Sequence, residues 1–195
     1  MPVIVLCSTK GGVGKSTTAL VLAQVFAKAG SNVTLIDADP NQPIATWQGR
    51  FRDTVPEKLR VLGGTDEETI VDAIDNAAAE HPFVIVDLEG SANLTASYAI
   101  SRADLVLIPM RGKQLDADQA GRVISLIERE SKAFRRKINY RVIFSMTSAV
   151  CCAVSGSGGS VSAPATASVA EGSATTFTIT PDPGHAVGTV AGTTC

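Results

Sequence analysis

Residues 8–17, "STKGGVGKST", hold three glycines and two lysines within six positions, between the apolar runs "VIVLC" and "TALVLAQVF". A glycine-rich turn that joins a strand to a helix exposes successive backbone N–H groups at the helix N-terminus, where the partial positive charge of the helix favours an anion. Glycines let that backbone approach a phosphate with no Cβ in the way. Lys15 is then placed to reach β and γ phosphates, and the Ser16 hydroxyl to ligate Mg²⁺. The competing reading is a turn that merely connects two buried elements.

The elements around this stretch must position it. "VIVLC" (3–7) is a continuous β-branched apolar run, the pattern of a strand covered on both faces. Residues 16–29 read as a helix, apolar almost all round and therefore expected to be buried, with Gly30 placed to end it. "NVTLID" (32–37), "LRVLG" (59–63), "FVIVDL" (83–88), "DLVLIP" (104–109) and "YRVIFS" (140–145) are further strands. A short helix at 43–51 turns Ile44, Trp47 and Phe51 to one face. Thr65 and Glu68 form a capping box for a helix over 66–80, with Ile70, Ile74 and Ala77 or Ala78 inward. Helices near 92–101 and over 116–137 complete the series. Strands apolar on both faces, alternating with helices, predict an α/β fold: a mostly parallel sheet flanked by helices.

The 195 residues suit one domain with a small appendage, and 45% hydrophobic content is enough for a core. The net charge of −2 gives no overall pull toward nucleic acid. Lys10 and the glycines interrupt the first apolar run, which argues against a signal peptide, and no 18-residue apolar stretch is present. A cytoplasmic protein is expected. Residues 149–195 contain no Lys or Arg, and 21 of these 47 are Gly, Ser or Thr. "ATTFTIT" (174–180) alternates and "PDPG" (181–184) is a turn signal, so this tail is β-rich or flexible. Cys7 reads as a small buried apolar group, while Cys151, Cys152 and Cys195 all lie in the tail. Cys152 and Cys195 could bracket a disulfide loop only in an oxidising space.

The general phosphate-loop pattern is G-x-x-x-x-G-K-[ST], and Thr9 occupies its first glycine position here. Lys10–Ser16 instead resembles the ParA/MinD family of deviant Walker A ATPases, whose signature is K-G-G-x-G-K-[ST]. The resemblance implies that Gly11, Gly12, Val13, Gly14, Lys15, Ser16 and Thr17 bind ATP and that Lys10 crosses to the nucleotide of a second subunit. "LIDADPNQ" (35–42) resembles the family's second strand and first switch. It implies that Asp39 orients the attacking water and that Asp37 acts near Mg²⁺ through water, although two aspartates at a strand end also serve as ordinary turn residues. "FVIVDLEG" (83–90) resembles the Walker B strand, with Asp87 holding the Mg²⁺ shell and Gly90 in the switch that senses the γ-phosphate. The "DLEG" form resembles a plasmid and conjugation-associated branch. Glu89 is a second carboxylate nearby and is not assigned as the base. Asp116 is expected to pair with Lys10 when nucleotide is absent.

The resemblance implies a Mg·ATP-dependent homodimer dissolved by slow hydrolysis, in plasmid or chromosome segregation or DNA transfer, with nonspecific DNA and a DNA-bound adaptor protein as partners. Arg129, Lys132, Arg135, Arg136, Lys137 and Arg141 form a basic cluster that fits phosphate contact, or equally a solvated helix end whose cations suit the dipole. The resemblance covers about residues 1–148. Its C-terminal continuation, which would hold the adenine and supply closing strands and helices, is replaced by a segment that weakly resembles β repeats of secreted bacterial surface proteins. The junction near 148–155 therefore reads as a join between unlike sequences. A nucleotide-binding remnant without turnover, or a surface β module with an accidental N-terminus, are the rival readings.

Overall fold

The computed structural model describes residues 1–91 and 93–145, and the backbone of the two strands Gly159–Ser162 and Thr178–Pro181. The first body is a six-stranded parallel sheet built from β1 (Val3–Leu6), β2 (Val33–Ala38), β3 (Leu59–Gly63), β4 (Phe83–Leu88), β5 (Leu105–Met110) and β6 (Asn139–Phe144). Their order is β3-β2-β4-β1-β5-β6, so β1 lies between β4 and β5. The chain returns to the far side of β1 after β4. This reversal opens a crevice beyond the carboxyl end of β1, where open α/β sheets receive ligands.

Side-chain alternation divides the core between the two faces. Val3, Val5, Val84, Val86, Val106 and Ile108 point toward α3 (Ile70–Glu80), α4 (Leu94–Arg102) and α5 (Gln114–Ala133). Ile4, Leu6, Leu35, Ile85 and Leu107 point toward α1 (Lys15–Lys28) and α2 (Pro43–Arg50). Strands covered on both sides carry no exposed position, as β1 and β2 show, and are therefore mostly apolar, Thr34 and Asp37 being the polar residues of β2.

The helices refine the expectations in four places. First, α1 is not buried all round. It lays the small-residue stripe Ala19, Ala23 and Ala27 on the sheet and leaves Val21 and Val25 each 55% exposed, because a helix resting on a sheet presents only one stripe to it. Gly30, at φ +95°, ends the helix as expected: its N–H donates to the Ala27 carbonyl and that of Ser31 to Phe26, a Schellman pair. Second, α2 buries Ile44 alone. Phe51 is half exposed and stacks against Trp47 with ring centroids 6.1 Å apart.

Third, the box predicted at Thr65 and Glu68 forms one residue later. The Asp66 carboxylate accepts from the N–H of Glu68 and from the N–H and hydroxyl of Thr69, whose own hydroxyl accepts from the Asp66 N–H. Thr65 Oγ1 is buried without a partner among the described residues. Within α3, Ile70, Ile74 and Ala77 are buried as predicted. Fourth, α5 stops at Ala133, short of the predicted 137. Arg135 takes a left-handed conformation at φ +51°, and the Arg136 N–H closes onto the Ser131 carbonyl.

In the tail, β7 (Gly159–Ser162) and β8 (Thr178–Pro181) pair antiparallel, Val161 opposite Ile179. The predicted tail cysteines Cys151, Cys152 and Cys195 and the junction at 148–155 lie outside the described residues. No described helix is long and apolar enough to cross a membrane.

Candidate functional site

The loop from Cys7 to Gly14 leaves the central strand and turns directly into α1. Gly12 and Gly14 hold φ of +70° and +86°, a region that side-chain-bearing residues rarely enter. A Cβ built on Gly11 or Gly12 would meet nothing within 4 Å, so the loop borders open space rather than packed atoms. No side chain caps α1, and no acidic residue stands in its first turn. Among the described residues, no backbone N–H from Gly11 to Thr17 donates to a protein acceptor. Seven consecutive amide donors and the positive end of a helix thus converge with no internal partner.

Two ionisable groups are buried beneath them. Lys15 is 7% exposed and makes no ion pair among the described residues. Asp87 is fully buried, and neither carboxylate oxygen has a hydrogen-bond partner among the described residues. Burial pushes its pKa up to about 7. The nearby Ser16 hydroxyl, outside hydrogen-bonding geometry, and the Lys15 charge offset this in part, while Asp37 and Asp39 add to it. A buried carboxylate without a donor is costly and is the natural partner of a cation. Ser16 at the start of α1 and Asp87 at the end of β4 are oxygen donors that fit a hard cation such as Mg²⁺. Among the described residues there is no group of three His, Cys, Asp or Glu able to hold a metal by protein ligands alone. That suits a cation completed by phosphate oxygens and water.

Register brings the strand ends together: Asp87 pairs with Leu6 of β1 on one side and with Asp37 of β2 on the other. The Asp37 carboxylate is already engaged, because one oxygen accepts from the N–H groups of Ile44 and Ala45 at 2.9 and 3.0 Å. It acts as the cap of α2, a duty the sequence did not indicate. Burial raises its pKa and those N–H groups pull it back. Asp39 lies at the mouth of the site and accepts from the N–H and side chain of Asn41. Glu89 is tied to its own turn by Ser91 and Asn93. Gly90 presses on the loop itself: a Cβ there would sit 3.2 Å from the Gly11 nitrogen.

On the outer side, Lys10 forms an ion pair with Asp116 at the start of α5, the contact expected from the sequence. The other oxygen of Asp116 accepts from Arg111 Nε at 2.9 Å, and Thr9 donates to Gln119 at 2.7 Å. Lys10, then Arg111, hold the Asp116 carboxyl down at about 2. Ser145, a residue that sequence reasoning passed over, donates its hydroxyl to the Val13 carbonyl at 2.5 Å. Cys7 is the small buried group expected, its thiol pushed up to about 12 by burial. The basic cluster is not one helix face: Arg129 and Lys132 lie on α5, Arg135–Lys137 in the turn after it and Arg141 on β6. Arg136 also donates to the Ala103 carbonyl, and Arg129 pairs with Glu130.

Comparison with known proteins follows the same outline. The protein ParA of Rhizobium radiobacter is 47% identical over 148 residues, covering 76% of this chain and 66% of its own length. The protein virC1 of the same species is 30% identical over 123 residues, 62% of this chain and 53% of its own length. The chain therefore spans between about half and two thirds of these relatives. The MinD cell division protein of Aquifex aeolicus superposes with a TM-score of 0.57 at 27% identity, over 74% of this chain and 69% of that one. Cobyrinic acid a,c-diamide synthase of Mycobacterium smegmatis, solved with an ATP analogue and magnesium, shares the fold at 18% identity and a TM-score of 0.62, over 74% of each chain. Residues 4–149 match the CobQ/CobB/MinD/ParA nucleotide binding domain, and with the Lys10–Ser16 signature in place the chain belongs to this ParA/MinD family.

Proposed function

We propose that the protein is a Mg·ATP-binding partition-type ATPase that pairs with a second copy when ATP is bound and separates after slow hydrolysis. One observation carries the reading: a row of amides from Gly11 to Thr17 stands over the buried Lys15 and Asp87, and none of these groups has a partner among the described residues. The amides and Lys15 bind and orient the phosphates, and an environment of fixed dipoles stabilises charge with little reorganisation. Asp87 and Ser16 would hold the Mg²⁺, which would supply neutralisation of phosphate charge. Asp39, at the mouth, orients a water for attack, and Gly90 against the loop relays the state of the phosphates to the segment that follows it. Asp37 positions α2, and with it the Asp39 turn.

Lys10 serves the second copy's nucleotide in this reading, so its ion pair with Asp116 belongs to the unpaired chain. The cargo is DNA or a DNA-bound adaptor protein, supported by the likeness to ParA and by the cations at the end of α5. The cytoplasm is the proposed compartment. The decisive measurement is Mg·ATP affinity of the wild type and Lys15→Ala. A loss of at least a hundredfold is expected; equal affinities would remove the assignment. Sedimentation with ATP then separates a working switch from a binding-only remnant: wild type dimerises and Lys10→Ala does not.

A further inference from the structure

The Ser145 hydroxyl reaches across 132 positions of sequence to the middle of the glycine loop. Its donor contact to the Val13 carbonyl is 2.5 Å. The Ser145 backbone cannot follow the loop freely, because its own N–H donates to the Met110 carbonyl at 2.8 Å, at the end of β5. The side chain also lies against the next residue: a Cβ on Gly14 would be 3.5 Å from the Ser145 Cβ. Val13 itself is buried at 1% exposure.

A peptide unit is planar and trans, so its C=O and the following N–H point in opposite directions. Fixing the Val13 carbonyl toward Ser145 therefore turns the Gly14 N–H to the opposite side of that peptide, away from the end of β6. That N–H has no protein acceptor among the described residues. We infer that Ser145 is a positioning residue for phosphate binding: it holds the Val13–Gly14 peptide so that the Gly14 amide joins the row of donors aimed at the phosphates. The inference rests on the nucleotide reading above. Without the hydroxyl, this peptide is free to rotate, and part of the ligand's binding energy is spent in ordering it.

The test uses the full chain and compares wild type, Ser145→Ala, Ser145→Thr and Lys15→Ala, with Mg·ATP as the probe. Loss of one hydrogen-bonded orientation predicts about five- to tenfold weaker binding for Ser145→Ala. Ser145→Thr, which keeps the hydroxyl, returns to within about twofold of wild type. A merely structural role is excluded by two further readouts. The unliganded melting temperature of Ser145→Ala stays close to wild type while the ATP-induced rise shrinks, and ATP slows hydrogen exchange at the Gly14 amide in wild type but not in this variant. Undiminished affinity in Ser145→Ala, with Lys15→Ala impaired, overturns the inference and leaves the nucleotide reading standing. So does a melting-temperature loss that accounts for the whole affinity change. Undiminished affinity in Lys15→Ala instead removes the nucleotide reading itself.

Discussion

Replacing Asp87 by Asn probes the buried carboxylate directly, and the direction of the effect depends on what is bound. The folded carboxyl releases its proton near pH 7 and the unfolded one near 3.8. Between those values the folded state holds more protons, so stability falls as pH rises and levels off above about pH 7. The gap is roughly three pKa units, each about 1.4 kcal/mol, so ionised Asp87 opposes folding by up to about 4 kcal/mol. Asparagine removes the charge but buries an amide in the same donor-free place, at a cost of about 1–3 kcal/mol. The net gain for Asp87→Asn is then about 2 kcal/mol at about pH 8, or about 4–8 °C in the melting temperature of a domain this size. Near pH 5 the wild type has regained most of its proton and the advantage closes. Thermal melts of both proteins in chelator at these two pH values provide the assay. With Mg·ATP present, the wild type gains stability and the variant gains far less. A variant less stable than wild type at about pH 8 in chelator, or a difference that ignores pH, would refute the argument that burial without a partner governs this residue.

Asp116→Asn releases Lys10 and Arg111 and should lower the ATP concentration needed for half-maximal dimerisation in sedimentation velocity. Because Asp116 is held at about 2, its tie to Lys10 is lost only as pH falls through that value, so moving between about pH 4 and 8 should not mimic the variant. Gly90→Ala drives a Cβ toward the Gly11 backbone and should weaken Mg·ATP binding more than it lowers the melting temperature, as titration calorimetry and melts would establish. Ile74→Ala, in the fully buried centre of α3, should cost about 2–5 kcal/mol in urea unfolding. Cys7 should resist alkylation at about pH 8 in the folded protein and react on unfolding, as peptide mass spectrometry at that residue would report.

The strands and the cradle were legible along the chain because their signals are local. A strand sandwiched between two helix layers is apolar on both faces along most of its length, and "VIVLC", or "FVIVDL" up to its terminal Asp87, states that within six residues. Gly30 ends α1 legibly because only glycine enters the left-handed region cheaply, whereas Arg135 does the same for α5 with no such mark. There the Arg136 contact to the Ala103 carbonyl, 33 positions away, helps hold a turn that propensity would not choose. Trp47 and Phe51 look like core by period, but only Ile44 finds a surface to bury against. The chemistry of the site divides in the same way. Glycines, Lys15 and Ser16 announce themselves by adjacency. That Asp37 caps α2, that Asp87 lacks a donor among the described residues, and that Ser145 steadies Val13 depend on which strand ends become neighbours. Strand register and crossover order settle those neighbours, and both follow from how two helix layers pack on one sheet rather than from any short run of residues.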